Sequence, residues 1–127
     1  MKTIISDEEM REKLDQSRDY TVVLPRVVPA ADLSQSRPLI WEHGRRNFVL
    51  RAEGILPIVL RVADDSDWAG IGIFNASPEE TERILADDPA IRVGIFSYEL
   101  HPVKGFPGDC LPRDAVSRSI SADGEPR

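Results

Sequence analysis

The sequence predicts a small α+β domain with the ferredoxin-like order β-α-β-β-α-β and one additional helix at the N-terminus. Four segments rich in apolar or β-branched residues have the length and composition of strands. Helix-start signals follow the first and the third of these strands, and one more precedes them all. Elements in this order form a four-stranded antiparallel sheet with both main helices on one face.

The N-terminal segment predicts a short outer helix and the first strand. The stretch "SDEEMREKLDQ" contains a capping box, Ser6 with Glu9, followed by good helix formers, which predicts a mostly polar helix over residues 6–17. The stretch "YTVVLPRVV", which begins at Tyr20, is rich in β-branched residues and predicts a strand.

A long helix is predicted over residues 38–53. Pro38 suits the first helical turn, no proline lies inside the segment, and Gly54 is a typical C-terminal stop. The apolar residues of this segment lie on two faces: Trp41, Phe48 and Ala52 on one, and Leu39, Ile40 and Leu50 on the other. We therefore expect this helix to make contacts on more than one side.

The second half of the chain predicts two strands, a helix and a last strand. Residues 55–63 and 68–76 are mostly apolar runs separated by the turn sequence "DDSD". A second capping box, in "SPEE", starts a helix that we expect to end near Asp88, because the residue before a proline is disfavoured in helical geometry. The partly alternating segment 92–103 predicts the fourth strand.

Length indicates a single domain. The 127 residues fit one domain, which we place over residues 1–112 with its core over residues 20–104. Residues 113–127 are polar, rich in serine and charged, so we expect a disordered tail there. The apolar second and third strands suggest that a second subunit covers the open face of the sheet, which predicts a homodimer.

Composition excludes several classes of partner. The net charge of −6 gives no basic footprint for nucleic acid. The only cysteine, Cys110, cannot form an intramolecular disulfide, and no apolar run approaches the roughly 20 residues of a membrane span. Acidic residues occupy the N-terminus where a signal peptide needs an apolar run. We expect a cytoplasmic protein without nucleic-acid or membrane partners.

The stretch "ILADDPAIRVG" places two carboxylates where the predicted second main helix ends. A helix C-terminus carries partial negative charge, so acidic residues are unfavourable there. Asp88 follows Ile84 and Leu85 by four and three residues and shares their inward face, whereas Asp87 points toward solvent. An acidic polar turn would explain the pair simply. The alternative is that Asp88 is held there to orient another side chain.

The ferredoxin-like topology supplies a partner for Asp88. The start of the first main helix, the end of the second and the turn between strands two and three all lie at one end of the sheet. His43 is therefore expected to approach Asp88, which would fix its tautomer, although Asp64 or Asp65 in the turn could take that place. His101 is predicted at the opposite end, so the two histidines cannot share a metal ion.

Three stretches together resemble the YCII-related domain family: "WEHGRRNFVLRAEGIL", "DDSDWAGIGIF" and "ADDPAIRVGIFSYELHPV". The resemblance covers residues 20–104. It implies a ferredoxin-like, commonly dimeric protein of the α/β-barrel type, with an active site attributed to a histidine–aspartate pair. By position, these residues are His43 and Asp88 here. One branch of the family includes a dehydrochlorinase of chlorinated hydroxyhydroquinones.

These observations favour a small enzyme that needs neither a metal nor an organic cofactor. His43 would transfer a proton in an isomerisation or elimination of an enolisable or hydroxylated cyclic substrate, with Asp88 as its partner. Candidate substrate-binding residues are Trp41, Asp65 and Trp68, although packing in the core or a dimer also explains the tryptophans. The alternatives are a non-catalytic ligand-binding or assembly domain and, third, a cofactor-free monooxygenase of the related dimeric barrel type.

Overall fold

Four antiparallel strands form one sheet in the computed structural model, which describes residues 2–114. The strands are Arg18–Val27 (β1), Ile58–Arg61 (β2), Gly70–Phe74 (β3) and Phe96–Gly105 (β4), and their order across the sheet is β2-β3-β1-β4. The helices are Asp7–Asp15 (α1), Arg37–Ala52 (α2), Pro78–Ala86 (α3) and Pro89–Arg92 (α4). This topology confirms the predicted ferredoxin-like fold with its additional N-terminal helix. Most of the predicted tail, residues 115–127, lies outside the described residues.

The capping predicted for α1 and α3 is present. The side chain of Ser6 accepts a hydrogen bond from the backbone N–H of Glu9, and the side chain of Ser77 accepts one from the N–H of Glu80. Each bond satisfies a donor that a helix start leaves unpaired, so these local signals set where the two helices begin.

Strand β2 is shorter than the predicted segment 55–63, because the residues before it complete the end of α2. Gly54 has φ +77°, its N–H donates to the carbonyl of Arg51, and the N–H of Ile55 donates to the carbonyl of Leu50. These two bonds form the Schellman motif that commonly closes a helix at a glycine. Pro57 then precedes the first residue of the strand.

The predicted helix 77–88 is in fact two helices, and this corrects the prediction for "ILADDPAIRVG". Helix α3 ends at Ala86, and Asp88 is the N-cap of α4, with extended backbone angles of φ −74° and ψ 124°. Pro89 cannot continue a helix but suits the first position of a new one, so the chain restarts there. Because α4 occupies residues 89–92, β4 begins at Phe96 and not at residue 92.

The core lies between the sheet and the helices and has two parts. One contains the buried side chains of Val23, Leu56, Phe74 and Leu85. The other contains Ala90, Ile95 and Phe96, beneath α4 and the start of β4. Helix α2 has no fully buried residue, and its Trp41 side is exposed. This long helix therefore covers the sheet only in part.

The opposite face of the sheet carries half-buried apolar side chains. Val22 lies opposite Ile73, which in turn lies opposite Ile58, and residues paired in this way point to the same face. A broad depression of about 850 Å³ lies here, bordered by the segment 106–111. Among residues 2–114, no helix has the length and apolar character needed to cross a membrane.

Candidate active site

The structure brings His43 and Asp88 into direct contact. The Nδ1 atom of His43 lies 2.6 Å from Oδ2 of Asp88, and the two side chains are 17% and 4% exposed. The residues are 45 positions apart in sequence. His43 belongs to the second turn of α2, and Asp88 precedes α4. A short hydrogen bond to a carboxylate in a largely buried setting is among the stronger polar contacts in proteins.

Backbone groups hold the Asp88 carboxylate in place. Its Oδ1 atom accepts hydrogen bonds from the N–H of Ala90 at 2.9 Å and of Ile91 at 3.4 Å, while Oδ2 faces His43. Asp88 does not lie at an unfavourable helix end but caps a helix start, where a carboxylate finds unpaired N–H donors.

The pKa of the Asp88 carboxyl reflects two opposing effects. Burial alone would raise this pKa, because a low-dielectric environment disfavours the charged form. The hydrogen bond and charge of His43, together with the N–H groups of Ala90 and Ile91, outweigh burial and hold the pKa below its ordinary value of 3.8. Asp88 is therefore ionised at neutral pH.

An ionised Asp88 fixes the tautomer of the neutral His43 ring. A carboxylate can only accept, so Nδ1 carries the proton and donates it to Oδ2, which leaves a lone pair on Nε2. The ring of Phe96 packs against the imidazole with centroids 4.9 Å apart and an angle of 54° between the planes. The Nδ2 atom of Asn47 lies 3.4 Å from Nε2. The free nitrogen is thus oriented and available as a base.

A cavity of about 330 Å³ lies beside His43, between α2 and the sheet. This volume is at the lower end of the range of about 300–1,000 Å³ for small-molecule sites. Most of its lining is apolar, and the polar side chains among the lining residues are His43, Asn47 and Arg61. An apolar pocket with a few convergent polar groups is the usual form of a small-molecule binding site.

Gly44 keeps the wall of this cavity open next to His43. It lies inside α2 without a positive φ, and a Cβ atom placed on it would meet no atom within 4 Å. Neither backbone geometry nor close packing therefore requires glycine, which costs a helix roughly 0.5–1 kcal/mol relative to alanine. Gly44 lines the cavity, so the missing side chain adds to the space beside the imidazole.

A solved structure shares this fold. The 5-chloro-2-hydroxyhydroquinone dehydrochlorinase of Burkholderia phenoliruptrix AC1100, in complex with 2,5-dihydroxybenzoquinone, matches with a TM-score of 0.51 and 19% sequence identity. The match covers 65% of this chain and 90% of that chain, and nine solved chains match in all. No protein-family model matches the chain, and no curated protein does. At this identity the similarity shows a common fold.

The three predicted substrate-binding residues lie elsewhere. Trp41 is 70% exposed. It precedes His43 by two residues, and this spacing places the two side chains on nearly opposite sides of α2. Asp65 is in an exposed turn, and the Trp68 ring lies 4.1 Å beneath the Arg26 guanidinium. None of the three lines the cavity next to His43, so the structure does not bring them to the histidine–aspartate pair.

The other polar candidates are also accounted for. Asp64 is exposed and accepts hydrogen bonds from the N–H and hydroxyl of Ser66, which lower the pKa of its carboxyl. Asp88, and not Asp64, is the partner of His43. His101 lies on β4, exposed, and Cys110 is exposed. The described part of the chain contains no cluster of three His, Cys, Asp or Glu side chains that could hold a metal ion.

Three residues of the site were not predicted from the sequence. Asn47 follows His43 by four residues, and this helical spacing could have revealed it. Arg61 and Phe96 come from β2 and β4, and only the tertiary structure brings them to the site.

We expect Asp88→Ala to destabilise the protein more than Asp88→Asn. Alanine removes the cap of α4 and the acceptor for His43, a combined loss of about 2–4 kcal/mol. Asparagine retains an N-cap oxygen and nearly the same shape. Urea denaturation at neutral pH measures both free energies of unfolding. Equal losses in the two variants would contradict this expectation, because they would show that the N-cap oxygen retained by asparagine contributes nothing.

The sign of the acid dependence follows from the lowered pKa of Asp88. The carboxylate contributes stability that is present above its unfolded pKa and is lost as pH falls through its folded pKa. The free energy of unfolding should therefore decrease less between neutral pH and about pH 3 for Asp88→Asn than for the wild type. An equal decrease in the two proteins would show that the ionised Asp88 does not contribute this stability.

Proposed function

We propose that the protein is a small enzyme that transfers a proton on a hydroxylated ring compound, with His43 as the acid–base group and Asp88 as its orienting partner. The observation that carries this proposal is the 2.6 Å contact between the two side chains beside an apolar cavity of about 330 Å³. A base positioned in this way contributes typically 100- to 10,000-fold to a rate.

The favoured reaction is an isomerisation or an elimination that begins at a hydroxyl group of the ring. The Nε2 atom of His43 takes the hydroxyl proton, and the oxygen electron pair forms a carbonyl group as a ring carbon takes up a proton. If that carbon carries chlorine, loss of a second hydroxyl proton expels chloride with the bonding pair and forms a quinone. The sum is loss of HCl: the ring is oxidised, the carbon–chlorine bond is replaced by a carbon–hydrogen bond, and no external oxidant is needed.

Two similarities support this substrate class. The sequence resembles the YCII-related family, and we propose that the chain is a member. The solved structure that shares the fold is described as a dehydrochlorinase of a chlorinated hydroxyhydroquinone, bound to a dihydroxybenzoquinone. A cavity with a mostly apolar lining suits a flat ring of this kind.

The catalytic proposal predicts which variants lose activity. His43→Asn should lower turnover of 5-chloro-2-hydroxyhydroquinone by about 100-fold or more, because the base is removed. Asp88→Asn should also lower it, because asparagine does not enforce the Nδ1–H tautomer. Chloride release and quinone absorbance measure turnover.

Matched controls are available within the chain. His101→Asn and Asp87→Asn make the same chemical changes at exposed positions that do not line the cavity, and they should keep wild-type rates. Full activity of His43→Asn would contradict the catalytic role. Ring binding without turnover by the wild type would instead indicate a non-catalytic binding domain.

We also propose that two copies of the chain associate through the sheet face opposite the core. Half-buried Val22, Ile58 and Ile73 lie on this face, at the broad depression. Sedimentation at micromolar concentration should show a homodimer, and Ile73→Glu should shift it toward monomer because a buried unpaired charge is costly. A wild-type monomer at that concentration would contradict the proposal.

A further inference from the structure

The polar groups that line the cavity beside His43 share one property. His43, Asn47 and Arg61 are its polar side chains, and no Asp or Glu is among its lining residues. The chain has 22 acidic residues against 16 Lys and Arg, so a lining without carboxylates does not follow from composition. Asp88 itself is 3% exposed and lies behind the imidazole. Asn47 and Arg61 can donate hydrogen bonds to a ligand, whereas neutral His43 offers the lone pair of Nε2.

Asn47 is placed next to the basic nitrogen of His43. The two residues are four positions apart on one face of α2, and the amide Nδ2 lies 3.4 Å from Nε2. This is a long hydrogen bond, and within residues 2–114 the Asn47 side chain has no other hydrogen-bond partner. An oxygen that gives its proton to Nε2 would lie beside this amide and could accept a hydrogen bond from it once ionised.

Arg61 is the positively charged residue among those that line the cavity. It is an exposed residue at the end of β2, and within the described part of the chain its guanidinium takes part in no ion pair. By contrast, Arg45 pairs with Glu42 and Arg46 donates to the carbonyl of Ile84. A guanidinium with free N–H donors is well suited to an anionic oxygen.

We propose that the cavity binds its ring ligand as an oxyanion, such as a phenolate or the enolate of a hydroxyquinone, with Asn47 and Arg61 as the residues that recognise the charged oxygen. The inference rests on the proposed function in that it assigns the ligand to the same cavity. Beyond the proposed function, the inference specifies that the ligand is bound in its ionised form and that Asn47 and Arg61 select that form. Hydrogen bonds from charged donors to an anion are worth more than those to a neutral hydroxyl.

Binding of 4-nitrophenol tests this inference, because the anion of this phenol is yellow and the neutral form is colourless. Wild-type protein is titrated into the probe at a pH where most of the free probe is neutral. Selective binding of the anion should increase the yellow absorbance as protein is added. An unchanged colour with binding seen by calorimetry, or no binding at millimolar protein, would overturn the inference.

Variants assign the effect to the two residues. Arg61→Gln should weaken binding of the anion about tenfold and reduce its dependence on salt. Arg45→Gln removes the same charge from the exposed side of α2 and is the matched control, with binding close to wild type. Asn47→Leu should reduce the yellow absorbance of the bound probe. If Arg61→Gln and Arg45→Gln behave alike, or Asn47→Leu leaves the absorbance unchanged, the recognising roles are wrong.

The readout separates this inference from the proposed function. Anion binding is measured without turnover, so it can succeed even if His43→Asn retains full activity and the catalytic proposal fails. Conversely, an enzyme that releases chloride but binds the probe only in its neutral form would keep the proposed function and lose this inference.

Discussion

The hydrogen bond between His43 and Asp88 joins helix α2 to the start of α4, beside the apolar contacts of Leu39 and Ile40 with the cluster that contains Ala90. Helix α2 has no fully buried residue, whereas β1, β3 and β4 each contribute buried side chains to the core. Two polar contacts tie it to the segment of α3 and α4: His43 to Asp88, and Arg46 to the carbonyl of Ile84, both at 2.6 Å. Asp88 is fixed in turn by backbone N–H groups. The contact that orients the proposed base therefore also positions its helix.

The cavity beside the pair lies between α2 and the sheet. Here Gly44 on α2 leaves out a side chain at the cavity wall, whereas Gly72 on β3 makes room for the Leu56 side chain, which a Cβ atom would meet at 3.1 Å. Glycine at position 44 thus costs α2 some stability, and it leaves space beside His43 at the cavity proposed to bind the ligand. Such exceptions to local sequence rules are common at functional sites.

Local signals in the sequence predicted the element order well, because caps and β-branched runs act over a few residues. The Ser6 and Ser77 caps and the stop at Gly54 are all present. The break after Ala86 was missed, because Pro89 both ends one helix and starts another. Topology brought His43 and Asp88 together correctly, but it could not orient individual side chains. Trp41, predicted as a substrate-binding residue, does not line the cavity, whereas Arg61, contributed by a different element, does.

The tautomer of His43 tests the account most directly, because every proposed role of the pair depends on it. Long-range proton–nitrogen NMR correlation, at a pH where both histidines are neutral, reports which ring nitrogen carries the proton. We expect His43 to be protonated on Nδ1 with a lone pair on Nε2. The exposed His101, whose Nε2 lies 3.9 Å from a carboxylate oxygen of Glu99, should instead carry its proton on Nε2. A His43 ring protonated on Nε2 would contradict the account, since Asp88 would then not be its acceptor.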